Sequence, residues 1–250
     1  ELAPIHRQHE LEFKTLLTAV RHGVVTAEMA GRLNEVGARP APDDGTITLA
    51  TTNATVTRIN GSALARLPGA PKTAVAEVNG EFGGRAYPAD ERLQLKLGAQ
   101  VMFLRNDTGG DGRWVNGTIG EVVKIADTVT VEVDGEGFEV QPSTWERYRY
   151  TYSSATKTLS KDVVAEFTQF PLRLAWAVTI HKSQGKSYDR AIVDLGPRSF
   201  APGQTYVALS RITALEGLYL TRPLRPSDII VDERVKDFMS RAEAIPGIAA

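Results

Sequence analysis

One stretch, residues 170–212, constrains the fold of this chain more than any other. At its centre lies an apolar run at 191–195, followed by a glycine and a proline, which is typical of a buried strand in a parallel sheet covered on both faces. A polar, basic cluster at 179–185 precedes the run, and a helix candidate at 204–210 follows it and delivers Arg211. Polar groups placed after such strands lie at the edge where α/β proteins bind ligands. The stretch therefore predicts an α/β domain with a ligand site at one sheet edge.

Two strings in this stretch resemble helicase motifs. TIHKSQG at 179–185 and GQTYVALSR at 203–211 closely resemble motifs V and VI of the RecD-like superfamily 1B DNA helicases, which include the petite-integration-frequency helicases and the phage Dda helicase. Any one of these residues alone fits a solvated loop or a surface arginine, but the match holds along both strings. The resemblance implies a RecA-like parallel-sheet domain, called 2A in that family, in an enzyme that hydrolyses ATP and moves 5′→3′ on single-stranded DNA.

The resemblance also implies roles for single residues. By this resemblance, the residues that face DNA are Thr179, His181, Lys182 and Ser183. Gln184 and Gly185 lie near the nucleotide, and Gln204 and Arg211 correspond to the motif VI pair. The arginine would reach toward a γ-phosphate held by another domain. A guanidinium suits that contact because it stays charged and offers several donors, and it stabilises charge developing in phosphoryl transfer. A packing role is the alternative for His181.

The N-terminal segment adds a further candidate pair. Apolar residues recur at helical spacing ahead of Gly23, and a second helix is predicted from Thr26 as N-cap, ended by Gly37. Arg7 and Gln8 precede the first helix and resemble motif IV, whose arginine reaches the nucleotide phosphates. A solvated charge ahead of a helix is the alternative for Arg7.

Thr52 and Asn53 follow a short apolar strand predicted at 46–50 and precede a helix. Oxygen-bearing side chains at a helix start satisfy free backbone N–H groups, and the same N–H groups can also bind phosphate. The run LATTNATVTRIN resembles the family segment whose threonine and asparagine contact the single-strand backbone. The capping role and the DNA contact can hold together.

The pattern of predicted elements changes near residue 97, where strands become short and turns become frequent. Asn-Gly at 116–117 and Asp-Gly at 134–135 are hairpin-turn signals. The run resembles the SH3-like β-barrel, called 2B, that is inserted in this helicase branch. We therefore expect the barrel at 97–162 and the RecA-like domain at 1–96 plus 163–250.

Aromatic and basic side chains of the predicted barrel have two possible uses. Tryptophans and tyrosines can stack on bases, but in a small barrel they more often fill the core. We expect the core for Trp114 and Trp145, and leave base stacking open for Tyr148 and Tyr150. The arginines at 113, 147 and 149 are candidates for contacts with a nucleic-acid backbone.

Composition excludes several classes of function. The 250 residues carry a formal net charge of −1, so any nucleic-acid site must be local, and the absence of cysteine excludes thiolate chemistry and disulfides. No run is long and apolar enough to span a membrane, so we expect a cytoplasmic protein without a membrane partner. The four histidines form no pattern of a metal site. The chain begins without methionine, which suggests a fragment of a longer protein.

The string GKS at 185–187 matches the end of a phosphate-binding P-loop motif. Ile180, however, occupies the position at which that motif requires a glycine. No other such string is present, and the sequence has no Asp-Glu (DE-type) strand end of the kind that holds magnesium. We therefore expect ATP and Mg²⁺ to be held mainly by an N-terminal RecA-like domain of the parent protein, and this chain alone to be inactive. The alternative is a non-catalytic module, derived from a helicase, that binds DNA or protein.

Overall fold

The computed structural model describes residues 7–42, 45–82, 87–107, 109, 112–154, 156–235 and 237–238. Contacts divide the chain into two compact units. The first unit comprises residues 1–59 with 176–250, and the second comprises residues 60–175. The chain thus leaves the first unit and returns to it once.

A four-stranded sheet forms the centre of the first unit. Its strands lie in the order β12 (Ala177–Thr179), β1 (Ile47–Ala50), β13 (Ala191–Asp194) and β14 (Leu218–Leu220). All three pairings are parallel. β1 is buried at every position, as expected for a central parallel strand covered on both faces. This arrangement confirms the prediction of an α/β fold with a parallel sheet.

Two helices precede the sheet in the chain. α1 (Leu11–His22) buries Phe13, Leu16 and Leu17, while Leu11 is 80% exposed because it lies at the solvent-facing start of the helix. Gly23 ends α1 in the left-handed conformation, with its backbone N–H donating to carbonyls of the last turn. The predicted first helix and its glycine stop are confirmed.

In α2 (Ala27–Gly37), Thr26 is the N-cap and its hydroxyl accepts a hydrogen bond from the backbone N–H of Met29. The end of the helix differs from the prediction, because Gly37 is its last residue and Ala38 is the C-cap. A Cβ atom on Gly37 would lie 2.4 Å from Cγ of Leu220. The glycine therefore allows the helix to approach β14 closely, and it does not act as a left-handed stop.

Two further helices carry residues of the predicted sites. α3 (Asn53–Arg66) begins directly after β1, and α4 (Gln204–Leu209) precedes Arg211. The segment around α4 is fastened from outside by a 3-10 turn, Pro226–Asp228. The hydroxyl of Thr205 donates to the backbone carbonyl of Asp228, and the N–H of Gly203 donates to that of Ile230.

The second unit consists almost entirely of antiparallel sheet. A five-stranded sheet has the order β11 (Leu172–Leu174), β5 (Gln100–Phe103), β6 (Ile119–Ile125), β7 (Val129–Val133) and β8 (Glu136–Val140). Asp134 and Gly135 both have positive φ, 51° and 83°, which is the backbone of the tight turn that Asp-Gly predicts.

The other strands of the second unit form two smaller sheets. β3 (Glu77–Gly80), β10 (Thr158–Gln169) and β9 (Ser143–Ser153) form one, and β2 (Lys72–Val75) pairs with β4 (Arg92–Leu95) in the other. The sequence predicts that the RecA-like domain resumes at residue 163, so that residues 163–169 should belong to that domain. In the structure these residues are the second half of β10, which pairs with β9, and contacts place the return to the first unit at Trp176.

Aromatic side chains fill the core of the second unit. Trp114 is 8% exposed and stacks on Phe103 with ring centroids 4.6 Å apart, and the half-buried Trp145 is tilted against Phe167 at 5.9 Å. The predicted core role of Trp114 is confirmed, whereas Tyr148 and the tyrosines that follow it on β9 are exposed. No helix within the described residues is long and apolar enough to cross a membrane.

Candidate functional site

Arg7 and Arg211 meet in the first unit although they lie 204 positions apart in the chain. Nε of Arg7 donates to Oγ of Ser187 at 2.7 Å, and its Nη1 donates to the carbonyl of Ser210 at 3.0 Å. Arg211 donates from Nη2 to Oγ of Ser210 at 2.9 Å and from Nη1 to the carbonyl of Lys186 at 3.4 Å. The two guanidinium groups therefore share a rim of hydroxyl and carbonyl oxygens.

The charge of this arginine pair is not neutralised inside the described part of the chain, where no carboxylate pairs with either guanidinium. Burial, followed by the charge of Arg7, lowers the pKa of Arg211, and burial lowers the pKa of Lys186. Each of these effects disfavours a positive charge, so an anion bound between the cations would be stabilised. The arrangement is suited to phosphate oxygens.

Gln8 explains why the arginine pair is brought together. Its side chain is 1% exposed, and Nε2 donates to the carbonyls of Ser210 and Ile212 at 3.2 and 2.7 Å. A carboxylate oxygen of Glu10 accepts from the backbone N–H of Leu215 at 3.2 Å. These contacts fasten the segment before α1 to the loop after α4, so Gln8 acts here as a clamp behind the two arginines.

Tyr188 belongs to the same neighbourhood but was not predicted. Its side chain is 8% exposed, and its hydroxyl has no hydrogen-bond partner among the described residues. Burial raises the pKa of Tyr188 to about 12, and the charge of Arg211 acts against that increase. Nothing in the sequence indicates that Tyr188 is buried near Arg211, because a tyrosine after a polar loop is common.

Gln204 is buried at the start of α4. Its Oε1 accepts from Oγ of Ser199 at 3.0 Å and from the backbone N–H of Phe200 at 3.3 Å. Its Nε2 has no partner in the part of the chain that the structure describes. The side chain thus holds the loop before α4 and keeps one donor unused.

A second group of predicted residues follows β1 and β12. Because the two strands are parallel neighbours, with Ala50 opposite Thr179, the segments after them leave the same edge of the sheet. Thr52 accepts from the backbone N–H of Thr55 at 3.2 Å, which is the capping interaction predicted for the start of α3. Asn53 is exposed beside it.

The turn after β12 divides its side chains between solvent and core. His181 and Lys182 are exposed, whereas Ser183 is fully buried and its hydroxyl donates to the carbonyl of Ile180 at 2.7 Å. The hydroxyl of Thr179 accepts from the backbone N–H of Lys182 at 3.3 Å. Thr179 and Ser183 therefore shape the turn that presents His181 and Lys182.

The two groups leave from opposite ends of the parallel strands. The segments with Thr52 and Lys182 follow β1 and β12, while Tyr188 and Arg211 come before β13 and β14. Gln184 and Gly185 lie on the connection between the groups, and both are exposed. Gly185 has a positive φ of 80°. No helix follows the GKS string, because the chain continues into a bridge between Tyr188 and Ile212. The string is therefore not a P-loop.

Comparison with known proteins finds homologous helicases over nearly the whole chain. The sequence is 39% identical over 239 residues to the ATP-dependent DNA helicase Pif1 of Bdellovibrio bacteriovorus, covering 93% of this chain and 52% of that protein. It is 35% identical over 253 residues to PIF1 of Rattus norvegicus, covering 95% of this chain and 37% of that protein. The chain is homologous to the Pif1 family of superfamily 1B helicases. No protein-family model matches the sequence.

Solved Pif1 structures have the same fold. The Bacteroides Pif1 structure in complex with ADP-AlF4 matches with a TM-score of 0.82 at 33% identity, over 98% of this chain and 56% of that chain. The Bacteroides Pif1 structure with ADP-AlF3 and single-stranded DNA matches with a TM-score of 0.75 at 34% identity. The chain spans about half the length of the bacterial Pif1 proteins and 37% of the rat protein. Within its described residues, no group of three or more histidines or carboxylates could hold a metal ion.

Proposed function

We propose that this chain is the C-terminal motor half of an ATP-dependent 5′→3′ DNA helicase. In this proposal it binds single-stranded DNA and supplies Arg7 and Arg211 to ATP held by an N-terminal RecA-like domain of the parent protein. The observation that carries the proposal is the convergence of these two arginines on a rim to which the described residues contribute no carboxylate. Homology to Pif1 helicases over 93% of the chain supports it.

The residues present fit the terminal phosphates of a nucleotide and no more of it. Two guanidinium groups offer several N–H donors to phosphate oxygens, and the backbone carbonyl of Lys186 accepts a hydrogen bond from Arg211. The chain lacks a P-loop and an Asp-Glu pair at a strand end, so the remaining contacts to ATP and those to Mg²⁺ belong to the other domain. Bound ATP would supply the γ-phosphoryl group, and the arginines would stabilise its developing charge.

Arg211 donates hydrogen bonds to neutral acceptors. Its Nε donates to the carbonyl of Val207 at 3.1 Å, and its other donors face Lys186 and Ser210. A phosphate oxygen forms stronger, charge-assisted hydrogen bonds than these acceptors do. Binding of a nucleotide would therefore draw the guanidinium out of this rim, and domain closure would follow from that preference.

The DNA track in this proposal runs over the edge formed by the segments after β1 and β12. Lys182 gives a charge contact, while Thr52, Asn53 and exposed backbone N–H groups contact the sugar–phosphate backbone without reading bases. Ser183 contributes by holding the turn from inside. A connection of a few residues joins this edge to the arginine pair, so that nucleotide and DNA contacts can be coupled.

We further propose that residues 97–162 form the SH3-like barrel 2B and that 1–96 with 163–250 form domain 2A. The antiparallel run of β5, β6, β7 and β8, which lies within 100–140, supports the barrel. The parallel sheet of the first unit supports domain 2A.

An ATPase assay tests the arginine pair. In the parent helicase, Arg211→Ala should lower DNA-stimulated kcat by ~10³-fold, the magnitude reported for arginine fingers, and Arg211→Lys should rescue only part of it because the fork of donors is lost. The matched control is Arg198→Ala, an exposed arginine on the same unit. Robust ATP hydrolysis by the 250-residue chain alone, lost in Arg211→Ala, would refute the half-motor proposal.

Fluorescence anisotropy of a labelled oligothymidine tests the DNA track. Binding by the chain should weaken with salt, because phosphate contacts release counterions, and should weaken further in Lys182→Ala. Lys14→Ala, on α1, removes the same charge elsewhere and should bind as the wild type does. Equal loss in both variants would mean that the contact is nonspecific and not placed at the turn after β12.

A further inference from the structure

A groove on the second unit is not used by the proposed helicase function. It has a volume of about 500 Å³, and its floor is aliphatic, with Pro68, Leu97, Val123 and Ile125 among the lining residues. Leu97 and Val123 are 57% and 42% exposed. Exposed branched side chains that gather in one concave place mark a binding surface more often than scattered ones do. We call this feature the lysine groove because three lysines, Lys72, Lys96 and Lys124, also line it.

The three lysines leave the groove with an uncompensated positive charge. No acidic residue lines the groove, and none of the three ammonium groups pairs with a carboxylate within the described residues. Lys72 donates to the carbonyl of Ile125 at 2.8 Å, and Lys96 donates to the carbonyl of Leu67 at 2.7 Å. Each ammonium has three donors, so two donors remain on each of these groups.

Lys96 differs from an ordinary surface lysine because it is largely buried. The residue is only 9% exposed and has a single carbonyl as its partner. A charged group that is nine-tenths buried without a counterion costs free energy. An anion placed at the groove would recover part of that cost, which a fully exposed lysine could not offer.

We propose that the lysine groove binds an acidic peptide segment that inserts an apolar side chain onto the aliphatic floor. Carboxylates of the segment pair with Lys72, Lys96 and Lys124, and the apolar side chain covers Leu97 and Val123. Charge complementarity and the mixed lining both select this occupant. The site is independent of the arginine pair and of the DNA edge, because all its residues lie within 68–125.

A nucleic acid is the less suitable occupant. Single-strand sites combine a basic groove with aromatic side chains on which bases stack, and no aromatic residue lines this groove. Burial of an aliphatic or aromatic side chain of a peptide, such as leucine, isoleucine or phenylalanine, against these aliphatic residues is favourable. Substitution of an aliphatic lining residue, such as Leu97, therefore distinguishes a peptide from a nucleic acid as the occupant.

The probe is a fluorescein-labelled nonapeptide with aspartates followed by isoleucine, proline and phenylalanine, titrated with the full 250-residue chain by anisotropy. The expected result is saturable binding that weakens with salt. Lys124→Glu and Leu97→Ser, both at exposed positions, should each weaken it by at least about fivefold. Lys157→Glu, an exposed charge reversal on the same unit outside the groove, should stay within about twofold. Circular dichroism confirms that each variant folds.

Two control probes separate charge from apolar insertion and peptide from nucleic acid. A peptide with its three terminal apolar residues replaced by serine should lose most of the binding. Oligothymidine should not compete with the peptide. Absence of binding up to about 1 mM peptide at low salt, equal loss in Lys157→Glu, or competition by oligothymidine without dependence on Leu97 would each overturn the proposal.

Discussion

Replacing Asp228 by asparagine should destabilise the first unit strongly, although the change removes no volume. The carboxylate is fully buried and accepts two hydrogen bonds from Arg222, at 2.7 and 2.8 Å. It also accepts from the backbone N–H groups of Ser199 and Arg225. In asparagine, one carboxylate oxygen is replaced by an NH₂ group, which would face the N–H donors that now bind the carboxylate. Arg222 would also lose its counterion.

The magnitude follows from the pKa of Asp228. Its hydrogen bonds with Arg222, assisted by the two backbone N–H groups and opposed by burial, lower the pKa from 3.8 to about 2. At ~1.4 kcal/mol per pKa unit, the ionised form gains about 2 kcal/mol of stability in the folded state. The remaining, unpaired Arg222 raises the expected loss in the Asp228→Asn variant to about 3 kcal/mol.

The pH dependence has a defined sign. Because the folded pKa is depressed, the stabilisation is fully present above the unfolded pKa near 4 and is lost as pH falls through 2. The wild-type chain should therefore lose about 2 kcal/mol between pH 4 and pH 2 from this group, and the Asp228→Asn variant should lack that component.

The measurement combines urea unfolding with hydrogen exchange of peptides that cover α4. Exchange there should accelerate in Asp228→Asn, because Asp228 fastens the loop before α4 through the N–H of Ser199. The matched control is Asp232→Asn, which breaks a pair with Arg234, 91% exposed, and should cost less than about 0.5 kcal/mol. A loss in Asp228→Asn no larger than in this control would refute the reasoning.

Three further substitutions test packing and polarity near the sites. Gly37→Ala should cost about 1–2 kcal/mol by calorimetry, because its Cβ would meet Leu220 at 2.4 Å; Gly31→Ala in the same helix meets nothing within 4 Å and should stabilise by up to about 1 kcal/mol. Tyr188→Phe removes a buried hydroxyl that has no partner among the described residues and should leave stability equal or up to about 1 kcal/mol higher; a clear loss would mean that the hydroxyl is bonded. Gln8→Glu places a carboxylate against two carbonyls and should lower both stability, by about 2 kcal/mol, and the ATPase of the parent helicase; wild-type activity in this variant would contradict the clamp.

Local rules were sufficient for much of the fold. The apolar spacing before Gly23, the hydroxyl of Thr26 and the Asp-Gly turn each depend on a few neighbouring residues, and each structure formed as predicted. The continuous apolar run at 191–195 was enough to predict a strand of a parallel sheet. Gly37 shows the limit of such rules, because its role depends on a side chain almost two hundred positions away.

The predicted site residues illustrate the same limit. The strings around Lys182 and Arg211 identify the family because whole strings were matched, and comparison with Pif1 helicases confirms that family. The strings alone did not indicate that Ser183 is buried, that Tyr188 lies beside Arg211, or that Gln8 fastens the loop after α4. Those facts depend on tertiary packing, which buries some side chains and brings distant segments of the chain together.

The sequence by itself determined which residues are cationic, which runs are apolar and where the backbone turns, because these are properties of side chains and their near neighbours. Only the tertiary structure decided that Arg7 and Arg211 share one rim and that Thr52 and Lys182 share one edge. It also decided that three lysines surround one aliphatic groove. Parallel strands bring together segments far apart in the chain, and the closeness of those segments depends on strand order and register, which no local pattern encodes.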